Sequence, residues 1–179
     1  MNTGHLRKEE RSSRAAIAVF LLFLYGCAPV LYETTAPAKK EYGPERRVIE
    51  LINEARAKGR KCGSKYYKAV QPLVWNDLLG KAALHHASDM ARSGFLGHTG
   101  SDGSTPGTRL SKLGYAWSIY GENVGQGATS AEKAVQGWLE SEKHCQNVMN
   151  PEFREAGAAS AKSSSLRSYW TVVFGTRGR

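Results

Sequence analysis

The amino-acid sequence predicts an α+β domain in which helices cover both faces of a small sheet. Three observations carry this. Helical periodicity dominates the first half of the domain, and strand-forming residues concentrate near its end. The run Tyr169-Trp170-Thr171-Val172-Val173-Phe174 is aromatic or β-branched on both faces, as suits a central strand covered on both sides. With 179 residues, 41% hydrophobic and 23% charged, the chain can bury such a core and is not disordered overall.

The first segment is an address. Residues 7–14 are net positive, and Ala15 to Gly26 is an unbroken run of apolar or small residues. A spanning helix needs about 20 such residues, so this shorter run has the length of a signal h-region. It ends Leu24-Tyr25-Gly26-Cys27, which resembles a bacterial lipobox, where the cysteine thiol is lipidated and its amine becomes the new N-terminus. The alternative is an ordinary cleaved signal peptide with Cys27 incidental. Either way residues 1–26 direct export, to a membrane-anchored envelope lipoprotein or a secreted protein. Residues 27–43 have two prolines and no sustained period, and read as a tether; the domain is 44–179.

Within the domain, Val48, Ile49, Ile52 and Ala55 predict a helix over residues 45–58, with Pro44 before it and Gly59 stopping it. The next helix has Asn76 as N-cap, a stripe of Leu79, Ala82, Ala83, His86 and Met90, and Gly94 as C′ residue. A short third helix starts at Thr105-Pro106 and stops at Gly114. The pattern Thr129-x-x-Glu132 predicts a capping box for a fourth, running through Val135 and Trp138. After Asn150-Pro151 come small residues from Glu155 to Ala161, a serine turn, and the final strand.

Twenty-five Lys and Arg against 16 Asp and Glu give +9, and the chain stays basic without its leader. The cations are scattered, with no polybasic block and no aromatic nucleic-acid motif, so nucleic acid is not the expected partner. Beyond Cys27 the cysteines are Cys62 and Cys145. An oxidising exterior permits a disulfide between them, worth about 4 kcal/mol on chain-entropy grounds; two buried thiols are the alternative. No CxxC pair offers a metal site.

Four histidines fall in the domain. His85 and His86 are adjacent on a helix and point about 100° apart. His86 lies on the apolar stripe and reads as a hydrogen-bonded core residue, whereas His85 reads as solvent-facing. His98 sits in the loop after Gly94, and His144 just past the fourth helix. Between them lies Tyr120-Gly121-Glu122-Asn123-Val124. Two histidines and one carboxylate on separate loops are the raw material of a divalent-metal or acid/base site.

Seven motifs occur in series: Phe95-x-x-His98, Asp102-Gly103, Thr105-Pro106, Gly121-Glu122-Asn123, Trp138-x-x-Ser141-x-x-His144, Asn150-Pro151 and Tyr169-Trp170-Thr171-x-Val173-Phe174-Gly175. Together they resemble the bacterial branch of the CAP superfamily (cysteine-rich secretory proteins, antigen 5, pathogenesis-related proteins), or SCP domain, over residues 45–177. The resemblance implies an α-β-α sandwich with a small, mainly antiparallel central sheet. Some bacterial members carry cysteines at positions like Cys62 and Cys145.

Eukaryotic relatives line a central cleft with two histidines and two glutamates, and several bind a divalent cation there. His98 and Glu122 match the first histidine and first glutamate. The second glutamate falls at Ser141, the second histidine at Tyr169, and a usual Gln at Val172, so the tetrad is incomplete. His144 is the candidate second imidazole, as in other bacterial members. The resemblance therefore implies a weak cation site at most, on His98, Glu122 and His144, for Zn, Mg or Ca, with no cofactor required. It implies an envelope module whose cleft binds a lipid, glycan or peptide. The alternative is a metal-assisted hydrolase, with His98 and His144 holding the cation, Glu122 orienting water and Ser141 nearby. Glu122 is expected to be buried or half-buried and paired with His98; otherwise it caps loops through backbone N–H groups.

Overall fold

Helix α1 (Pro44–Arg56) opens the part of the chain that the computed structural model describes, residues 43–178. The leader, Cys27 and the tether up to residue 42 lie outside the described residues. Pro44 occupies the first turn of α1, and Val48, Ile49 and Ile52 form its buried face. A hairpin of β1 (Arg60–Cys62) and β2 (Lys65–Tyr67) and the two-residue β3 (Val74–Trp75) lead to α2 (Asp77–Ser93). Asn76 caps α2 by accepting from the N–H groups of Leu78 and Leu79, and Gly94 ends it in the left-handed region at φ 71°. Helix α3 (Pro106–Lys112) begins with a reciprocal capping box between Thr105 and Thr108. Strand β4 (Trp117–Gln126), helices α4 (Ala131–Glu140) and α5 (Glu142–Val148), and strands β5 (Glu155–Lys162) and β6 (Ser168–Arg177) complete the order.

The main sheet runs β3-β5-β6-β4. Strands β5 and β4 flank β6 antiparallel, and β3 joins β5 in parallel. Strand alternation then sorts the core into two layers. Ala156, Ala158, Trp170, Val172 and Phe174 pack with α1, α4 and α5. Ala159 and Val173 pack with Leu79, Ala82, Ala83 of α2 and Leu110 of α3. Tyr169 packs against Met90 and Val124. The result is the expected α-β-α sandwich, with β6 buried on both faces. Helix α2 lies on β5 with no side chain between them at one point: a Cβ on Gly157 would stand 2.0 Å from the Gly80 nitrogen.

One polar tie and one covalent tie close the opposite layer. The buried Arg56 guanidinium donates to the carbonyls of Gln71, Val148, Asn150 and Phe153, and burial pushes its pKa down to about 10. Cys62 of β1 and Cys145 of α5 form a disulfide with their Cα atoms 5.5 Å apart.

Three sequence expectations change. The N-cap of α4 is Ser130, whose hydroxyl accepts from the Lys133 N–H, rather than Thr129. Gly121-Glu122-Asn123 is not a loop but the middle of β4, and its glycine answers a packing need: a Cβ at 121 would stand 2.7 Å from the Phe153 ring. His144 is not in a loop either, but on α5, which Ser141 separates from α4.

Candidate functional site

The site is built where the loop after α2 crosses β4. Gly94 stops α2, and Asp89, one turn earlier and 4% exposed, anchors the returning loop. Its carboxylate accepts from the Ser101 N–H at 2.7 Å and hydroxyl at 2.6 Å. Burial alone would raise the Asp89 pKa; the bonds from Ser101 and Arg92 outweigh it and hold the carboxyl below its usual range. The loop so fixed, Phe95 to Gly100, carries His98.

Glu122 points from β4 into the α2 and α3 layer, since it pairs across the ladder with Val173, whose side chain packs there. Its residue is 6% exposed. A carboxylate this deep must be paired, and three partners meet it. The His98 Nδ1 stands 2.9 Å from Oε1, and the buried Arg109 of α3 donates from Nη2 to Oε2 at 2.7 Å. His86 Nε2 is 3.7 Å from Oε1. The expected His98–Glu122 contact is therefore present, but the full positive charge beside Glu122 belongs to Arg109.

His86 is a core residue, as its stripe position suggested, yet it is also part of this cluster. Its Nε2 lies 2.7 Å from the Gly97 carbonyl, which can only accept, so the proton sits on Nε2. Burial holds its pKa below the usual histidine value, although Glu122 works the other way. His98, by contrast, is raised by its hydrogen bond to Glu122, and 53% of its side chain is exposed. His85 is exposed, as expected.

His144 approaches from the other layer. The next residue on β4, Asn123, is fully buried and faces α5, donating from Nδ2 to the His144 carbonyl at 3.0 Å and accepting from Asn147 Nδ2 at 2.9 Å. Burial and then the charge of His98 lower the His144 pKa, so the two imidazoles feel each other. No hydrogen bond joins the His144 imidazole to His98 or Glu122 among the described residues, and the Ser141 side chain does not cap α5. The structure thus brings His98 and Glu122 together, places His144 within electrostatic reach, and leaves Ser141 outside the network.

The donor set does not fit a resident three-ligand cation centre. Among the described residues no group of three His, Cys, Asp or Glu side chains could hold a metal ion. Both Glu122 oxygens already accept hydrogen bonds, and the Arg109 cation opposes a second positive charge beside them.

Sequence reasoning missed Arg109 and assigned His86 only to the core. The available signal was a cation one residue from Leu110 in a seven-residue helix with little surface to spare, since a charge drawn into such packing needs an anion.

Comparison with known proteins now decides the family. The cysteine-rich secretory protein family, CAP, matches residues 49–174. The chain belongs to it. Among curated relatives, the uncharacterized protein YkwD of Bacillus subtilis (strain 168) is 28% identical over 141 residues, 79% of this chain and 50% of YkwD, so this chain spans half of that relative's length. An extracellular SCP-domain protein from Bacillus anthracis (strain Ames) matches with a TM-score of 0.62 and 24% identity, covering 76% of this chain and 41% of that one. An outer surface protein of Borrelia burgdorferi matches with a TM-score of 0.60 and 22% identity, covering 74% and 89%. At these identities the two structures establish the shared CAP fold.

Proposed function

We propose that this CAP domain is an exported envelope module that binds a lipid, glycan or peptide in the cleft around His98, held to the membrane through a lipid on Cys27. The observation that carries the binding reading is the His98–Glu122–Arg109 chain. A buried carboxylate locked between a buried guanidinium and a half-exposed imidazole does nothing for the apolar core, and it presents one polar group to solvent in a fixed position. A histidine raised by its bond to a buried carboxylate is the kind of group that concentrates at functional sites. The extracellular and outer-surface descriptions of the Bacillus anthracis and Borrelia burgdorferi proteins support export. The metal-assisted hydrolase alternative finds less support, because both oxygens of the carboxylate meant to orient water already accept hydrogen bonds, one of them from Arg109.

Histidine NMR on the purified protein tests the binding reading, with three separate probes: short-chain phosphatidylglycerol, an N-acetylglucosamine trisaccharide and an unstructured peptide. The expected result is that one probe shifts the His98 and His144 resonances, and that His98→Ala removes the His144 response. If none of the three moves either histidine, the binding reading fails. Release of a cleaved product from any probe would overturn it in favour of the hydrolase.

A further inference from the structure

The loop bearing His98 is held through two consecutive carbonyls. His86 donates to Gly97 O at 2.7 Å, and Arg109 Nη2 donates to His98 O at 3.1 Å. The same Nη2 donates to Glu122 Oε2, while Nη1 donates to Ser104 O at 3.0 Å. One guanidinium therefore joins α3, the loop before it, the His98 backbone and the carboxylate that meets the His98 ring. Arg109 is 3% exposed.

We propose that Arg109 is the positioning residue of the cleft: by fixing Glu122 and the His98 carbonyl together, it holds His98 as the Nδ1–H tautomer with Nε2 left to meet a ligand. This deepens the binding reading, on which it rests for the role of the cleft. An ionised carboxylate can only accept, so the Nδ1 atom 2.9 Å from Oε1 must carry the proton. That requires Glu122 to be charged and its Oε1 to stay turned toward the loop. Both follow from Arg109, which binds the other oxygen and supplies a permanent positive charge. Once Nδ1–H is committed, neutral His98 offers a single lone pair at Nε2. The ligand group that fits it is a hydrogen-bond donor, a hydroxyl or an N–H. The groups acting on His98 are Glu122 of β4, Arg109 of α3 and His144 of α5, while His86 of α2 stands 3.7 Å from the same Glu122 oxygen.

The tautomer can be read directly. Long-range ¹⁵N–¹H correlation spectra of the exported protein are recorded above the histidine titration range, for wild type, Arg109→Gln and Arg109→Lys. Wild type should show His98 as Nδ1–H. Arg109→Gln should give a mixture with at least half Nε2–H, while the Trp138 indole N–H, which donates to Val124 O, keeps its wild-type shift as a check on the fold. Arg109→Lys has one point donor in place of the fork and should fall between the two; it carries the test if the Gln variant does not fold. A pure Nδ1–H pattern in the folded Gln variant, or in the Lys variant when only that one folds, would overturn the proposal and leave Glu122 orienting His98 unaided. Absence of probe binding in wild type would sink the binding reading but not this one.

Discussion

The imidazoles of His98 and His144 are fixed by opposite means. His98 hangs on charge: Glu122, Arg109 and His86 hold its ring and its loop, and Asp89 holds the loop's far end. His144 hangs on covalent and neutral bonds, through the Cys62–Cys145 disulfide next to it and the Asn123 amide under its carbonyl. The first arrangement responds to pH and to any ligand that competes for a proton. The second responds also to redox state, through its disulfide. A short helix of seven residues cannot hold itself in place, so a staple suits α5, whereas the His98 loop already has buried charges to grip.

The largest break should come from the staple. Cys62→Ser with Cys145→Ser opens a loop with a sequence separation of 83, and should lower unfolding stability by about 4 kcal/mol. Denaturant unfolding reads this. Histidine spectra of the folded variant should show His144 displaced and His98 unchanged; equal displacement of both would erase the distinction between the two sides.

Glu122→Gln comes next. It leaves the Arg109 charge buried without its carboxylate and should cost about 3 kcal/mol. The pH response sharpens the comparison. His98 is raised in the folded state, so its stabilisation is full below the unfolded pKa of about 6.5 and is lost as pH rises through the folded value. His86 and His144 are lowered, so stability present above about 6.5 is lost as pH falls toward their folded values. The two windows lie on either side of about pH 6.5. The variant loses the first kind, so the gain in stability that wild type shows as pH falls from the folded His98 value to about 6.5 should vanish. Equal slopes in paired urea series at several pH values would mean that Glu122 does not set the His98 charge.

Asn123→Ala should have the smallest effect, about 1–2 kcal/mol for a buried amide that makes two side-chain bonds. Its NMR signature should be confined to His144 and Asn147. A response at His98 would show that the two sides communicate through β4.

Most of the fold was legible because its signals are local. Asn76, Gly94 and Thr105-Pro106 mark helix ends by their own capping chemistry, and Tyr169 to Phe174 reads as a doubly covered strand. Strand β4 was not legible, since Gly121 and the polar pair after it look like a loop. The glycine exists for Phe153 and the polar pair for Arg109 and Asn147, all distant in sequence. The site divides the same way. His98 and Glu122 stood out by their positions and were paired through family resemblance, whereas Arg109 and the second role of His86 depend on how α2 and α3 converge.

That convergence has an exacting tolerance at Gly157. Helix α2 rests on the bare backbone of β5 there, and the same helix carries Leu79 and Ala83 into the core, His86 into the cleft and Asp89 under the loop. A methyl group at position 157 would act as a shim, lifting the helix and with it every rung it supports. The His98–Glu122 pair could then be detuned from two strands away on the same face of the sheet, by an atom that touches none of its residues.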